Sequence, residues 1–132
     1  MRAEKVVSAL LAADGGVTSI VGSRIYGGTA PEATAAPLIV FVHIDSLSDG
    51  RMSATQQYVI SADIEVLAVA RTYQELKQLH EAIRQALSFK GGAIAGVQVN
   101  TIVWSARGAD QFDPELREFA QTVTYRVSHM EP

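Results

Sequence analysis

The sequence predicts an α+β fold: a mainly antiparallel sheet of about four strands with helices packed on one face. Three observations predict it. Two consecutive runs between Pro37 and Val69 alternate their side chains with a period of two. Two stretches, Arg2 to Ala13 and Thr72 to Phe89, carry apolar residues at helical spacing, and two further alternating runs follow the second of them. No repeat, low-complexity tract or linker divides the 132 residues, so residues 1–132 read as one domain, able to bury roughly two thirds of its unfolded surface.

In chain order, Val6, Val7, Leu10 and Leu11 share one side of a first amphipathic helix that Asp14-Gly15-Gly16 stops. Val17, Ile20 and Val21 predict one or two further helical turns, ended by Gly22. Ser23 to Tyr26 suits a brief edge strand, and the Gly-, Ala-, Pro- and Thr-rich segment from Gly27 to Ala36 is a loop that delivers Pro37 to the start of a strand. Thr72 and Glu75 form a capping box for a helix to about Phe89, with Tyr73, Leu76, Leu79, His80, Ile83, Ala86 and Leu87 as its apolar stripe. Gly91-Gly92 ends that helix. Val97 to Ala106 returns to strand spacing, with Val97, Val99 and Val103 on one side and Ile102 and Trp104 on the other. After a polar connection from Gly108 to Pro114, a last strand runs through Phe119, Gln121, Val123, Tyr125 and Val127, and His129 falls in a fraying tail.

The hairpin of Pro37 to Val69 organises the rest. Leu38, Val40, Val42 and Ile44 form one face of its first strand, and Tyr58, Ile60, Ala62, Ile64, Val66 and Ala68 one face of its second. A turn at Ser48 to Met52, around Asp49-Gly50, would make facing residue numbers sum to about 100 or 102, setting even opposite even. The second helix would then lie across this even face. The odd face mixes Phe41 and Val59 with His43, Asp45, Asp63 and Glu65, which makes it a candidate interaction surface left open on a monomer.

Composition excludes several functions. There is no cysteine, hence no disulfide, thiolate metal site or cysteine nucleophile. The net charge of −3 with interspersed acids and bases gives no basic field for nucleic-acid phosphates. No apolar run reaches the roughly 18 to 20 residues of a membrane span, and the N-terminus lacks the order of a signal peptide, so a soluble protein made in the cytosol is expected. His43, Asp45, Asp63 and Glu65 share a strand face, but the expected register keeps His43 roughly 13 Å from the level of Asp63. No metal site, cofactor site or catalytic residue is therefore expected. The glycine pairs match neither a P-loop nor a dinucleotide fingerprint, and no serine sits in a nucleophile elbow.

Gly22-Ser23-Arg24-Ile25-Tyr26, then Ala30-Pro31, then Ala36-Pro37 leading into Leu38-Ile39-Val40-Phe41, form a distinctive series behind a short N-terminal helix. In that order they resemble the tail terminator, or tail completion, family of long-tailed bacteriophages, which includes prophage proteins first catalogued as a domain of unknown function. The resemblance runs on through Val59 to Val69, the helix with Leu76, Leu79, Ile83 and Leu87, and the last strand. Leu38 departs from it, since relatives often carry an aromatic after the proline.

The resemblance implies a non-enzymatic virion protein that assembles as a hexameric ring on the head-proximal end of the tail tube. There it would halt tube growth and present the surface to which the head–tail connector docks. Its partners would be copies of itself, the tail-tube protein and the connector, with no sequence-specific nucleic acid and no membrane. A ring needs two different patches on each subunit. The open sheet face with Phe41 and Val59 is one candidate, and the polar hairpin tip from Asp45 to Gln57, with Leu47 and Met52 as its apolar residues, is the other. Arg24, Asp49 and Arg51, charged groups beside turns, are candidate intersubunit or tube contacts. The alternatives are another head–tail joining or neck protein of the particle, and a small-ligand-binding or hydrolytic α+β domain.

Overall fold

The computed structural model describes residues 2–52 and 57–131, with side chains described outside 48–52 and 57. Helix α1 (Arg2–Ala13) leads into α2 (Gly15–Val21), β1 (Ile25–Gly27), β2 (Leu38–Met52) and β3 (Gln57–Ala70). Then come α3 (Tyr73–Leu87), β4 (Gly92–Ile94), β5 (Val97–Arg107), β6 (Gln111–Asp113) and β7 (Glu118–Glu131).

Local chemistry accounts for the helix ends. Asp14 caps α2 by accepting the Val17 N–H at 3.0 Å. Thr72 caps α3, its hydroxyl accepting the Glu75 N–H at 3.1 Å, while the Glu75 carboxylate reaches back to the Arg71 N–H at 3.1 Å. The capping box is thus present, with its return bond landing one residue before the cap. After α3 the glycines do more than stop a helix. A Cβ on Gly91 would lie 2.9 Å from the Asn100 carbonyl oxygen, and Gly92 sits at φ 98°. Only glycine lets this segment lie so close to β5.

The strands form one seven-stranded sheet in the order β1-β2-β3-β7-β5-β4, with β6 also paired to β7. The β1–β2 pair is parallel and the others antiparallel, so the sheet is mixed. Helix α1 touches β1 at one end of that order and β4 at the other, as well as β2, β3 and β5 between them. A flat sheet could not bring both ends to one helix; this one curls. Among the described residues 63 lie in strands and 34 in helices, so sheet dominates. The expectation of an α+β fold, about four mainly antiparallel strands with helices on one face, is therefore corrected. The brief edge strand expected at Ser23 to Tyr26 is present as β1, shifted to Ile25–Gly27, whereas the three-residue strands β4 and β6 are too short to show alternation and are additional to the expectation.

The core joins Ala3, Val6, Val7 and Leu11 of α1, and Leu76, Leu79, Ile83, Ala86 and Leu87 of α3, to Ala62, Ile64, Val66, Ala68 and Ala70 of β3. Val123, Tyr125 and Val127 of β7 complete it. In β2, however, the core residues are Ile39 and Phe41, because Ile39 faces Ala68 and Phe41 faces Val66. Odd stands opposite even. The even-on-even register fails because β2 continues as strand through Asp49-Gly50, with bulges between His43 and Asp45 and between Ser48 and Gly50. Residues 53–56, between β2 and β3, lie outside the described residues. The C-terminal segment also differs from expectation: His129 lies within β7 and is only 2% exposed. No helix of the described residues is long and apolar enough to cross a membrane.

Candidate assembly surface

Beyond Phe41, β2 has a strand partner on one side only among the described residues. β1 pairs with Ile39, Val40 and Phe41, and among the described residues no strand covers the same edge from Val42 onward. Along this free edge Val42 is 37%, Ile44 49% and Leu47 66% exposed. A long edge strand carrying bare apolar side chains is a ready template for pairing with another chain.

The face behind the edge is charged. Asp45 stands directly opposite Asp63, and Asp63 opposite Arg126 on β7. Arg126 closes on Asp63 with Nε–Oδ1 at 3.0 Å and Nη2–Oδ2 at 3.3 Å. Asp45 accepts the N–H of Ser46 at 2.8 Å and has no cation partner among the described residues. The register expected from sequence is wrong here, since it kept Asp45 and Asp63 apart. His43, opposite Ile64, belongs to the other face of β2 and shares a 2.6 Å hydrogen bond with Ser46. The described residues contain no group of three His, Asp or Glu side chains arranged to hold a metal.

The structure separates the sequence-derived surface residues. Phe41 is 8% exposed and lies in the core; a Cβ on Gly27 would come within 3.2 Å of its ring. It is covered by its own chain and cannot be an open contact, the shift in register being the reason. Val59 is half-buried and stands opposite Gly50 and Met130. Arg24 is half-buried too, its Nε donating to the Pro37 carbonyl at 2.8 Å while its own carbonyl accepts the Ile39 N–H at 3.0 Å. It ties the segment before β1 to the start of β2. The backbone of Asp49 and Arg51 belongs to β2, and their side chains lie outside the described residues. Val42 and Ile44 are legible as apolar, but the even-on-even register turns them toward the helices; odd opposite even leaves them exposed.

A second exposed area lies at the other end of the sheet. Trp104 on β5 is 50% exposed, and the Arg107 guanidinium lies 5.1 Å from its ring centroid. Ile102, opposite Val127, shares a side with Trp104, opposite Tyr125, as the spacing implies, but it is fully buried; the bulge between Val99 and Thr101 turns Val99, opposite His129, to that side as well. Beside Trp104, Tyr125 is buried and its hydroxyl is pushed up to about 12 by loss of solvent. His80 Nε2 donates to the Gln121 carbonyl at 3.1 Å, which leaves Nδ1 buried and unpaired, and burial lowers the imidazole below its usual value.

A family model described as tail completion protein gp17 matches residues 5–129, from within α1 to within β7. No curated protein matches the chain. Among solved structures, it is similar to a chain of the virion of a native gene transfer agent (GTA) particle. The identity is 12% and the TM-score 0.72, over 96% of this chain and 92% of that one. At that identity the likeness speaks for the fold. The family match covers almost the whole sheet and its helices, and it makes this chain a member of the tail completion protein gp17 family, with a structural, tail-related place in the virion.

Proposed function

We propose that this protein assembles as a hexameric ring on the head-proximal end of the tail tube, ends tube polymerisation there and offers the surface to which the head–tail connector docks. It does so without catalysis, through contact surfaces alone. The observation that carries this reading is the free edge of β2, where Val42, Ile44 and Leu47 stand exposed beyond the last residue that β1 covers. Such an edge invites aggregation unless a specific partner completes it. A ring gives every copy one partner on each side and closes, whereas an open head-to-tail chain would not.

Isolated tail tubes, isolated heads and the purified protein test this directly. The protein should bind one end of the tubes, arrest their further growth and then allow heads to attach. Binding to heads but not to tubes would favour a neck protein on the head side. Binding to neither would remove the proposal.

A further inference from the structure

Between α3 and the Arg107 end of β5 lies a cleft of about 240 Å³, floored by Tyr125 and Val123 and walled by His80, Arg84 and Arg107. Its cations differ in what they already hold. Lys77 is bound to Asp110 at 2.6 Å, and Arg84 to Glu81. Arg107 has no ion pair among the described residues, and its guanidinium lies against the Trp104 ring. Glu65 lines a shallower hollow on the other side of Arg107 without pairing to it. The cleft therefore presents one uncommitted guanidinium, next to a half-exposed tryptophan, in a chain of net charge −3.

The free edge of β2 has the opposite chemistry. Asp45 faces the like charge of Asp63, and Asp63 is already satisfied by Arg126. Like charges directly opposite across a strand pair destabilise each other, so a cation brought to Asp45 from outside would be favoured. Beside it stand the bare side chains of Val42 and Ile44. The two areas lie near opposite ends of the strand order, on β2 and on β5. A head-to-tail contact needs two unlike, complementary patches placed apart on one subunit.

We infer that the cleft between α3 and β5 receives the Asp45 carboxylate of a second copy of this chain on Arg107, with Trp104 covering Val42 and Ile44. Tryptophan and arginine at the centre, with acid and aliphatic groups opposite, is the composition from which strong subunit contacts are made. The inference rests on the ring reading and adds to it the surface and its polarity.

Charge reversal tests it by sedimentation velocity across a concentration series of the full chain. Arg107→Asp and Asp45→Arg should each weaken self-association at least about tenfold, and the variant carrying both should recover to within a few-fold of the unmodified protein. Arg107→Gln, which keeps the bulk of the side chain, should weaken it less than Arg107→Asp. Circular dichroism melts check that each variant folds. Single variants that associate like the unmodified protein, or a double variant weakened by the sum of both, would overturn this contact while leaving the ring reading standing. An unmodified protein that stays monomeric even with tail tubes present would take down both.

Discussion

Arg126 on β7 and Asp63 on β3 face each other across the outer side of the sheet and are joined by two contacts, at 3.0 and 3.3 Å. Asp45 stands on the other flank of Asp63, so one guanidinium holds in place a carboxylate that a second carboxylate repels. Removing it should cost more than an ordinary surface pair. Arg126→Ala is expected to lower unfolding free energy by about 1 kcal/mol, the upper end for an exposed pair. Adding Asp45→Asn in that background should return part of the loss, because it removes the repulsion. Urea denaturation of the two variants measures both; an unchanged midpoint for Arg126→Ala would show that the pair contributes nothing.

Phe41 and Ile44 are three residues apart on β2 and should behave oppositely. Phe41→Ala empties core volume among α1, β1 and β3, and is expected to cost about 3 to 5 kcal/mol of stability. Ile44→Ser removes an exposed side chain and should change monomer stability by less than about 0.5 kcal/mol. Thermal melts of both variants check the contrast. A small effect at Phe41 would mean that the odd face of β2 is not the core face.

That contrast also marks what the sequence could tell. The limits of α1, the capping box at Thr72 and Glu75 and the inward set Val123, Tyr125 and Val127 follow from residue spacing and local hydrogen bonding, and the structure has them. The face of β2 did not follow, because Leu38 to Phe41 is apolar on both sides and only the hairpin register could choose between them. That register depends on bulges at Ile44 and Asp49, which no local propensity announces. The strands β4 and β6 escape for a different reason: three residues give no period, and tertiary pairing alone defines them. The candidate surface moved accordingly, from Phe41 to Val42 and Ile44.

Acid should destabilise the protein through its histidines. Burial holds both His80 and His129 below the usual imidazole value of 6.5, only partly opposed at His80 by its hydrogen bond to the Gln121 carbonyl. The unfolded chain thus takes up protons that the folded one refuses, so this contribution to stability is complete above pH 6.5 and is lost as the pH falls through that value. It levels off once the folded histidines are themselves protonated. Melting temperatures between pH 7.5 and 5 should fall, and His129→Gln should flatten the fall. A profile that is level over this interval would contradict the burial of both rings.

Capping of α3 offers a local check. Thr72→Ala removes the acceptor for the Glu75 N–H and should cost about 1 kcal/mol, whereas Thr72→Ser should cost little. Urea midpoints distinguish the two. Equal midpoints for both would show that the cap is not formed in solution.

Whether sister copies complete the bare edge of β2 is decided most directly by the mass of the particle in solution. Native mass spectrometry of the unmodified protein and of Ile44→Asp, at high concentration and with tail tubes as template, should show a closed ring for the first and single subunits for the second. The same mass distribution for the two proteins would place the contact elsewhere and contradict the account.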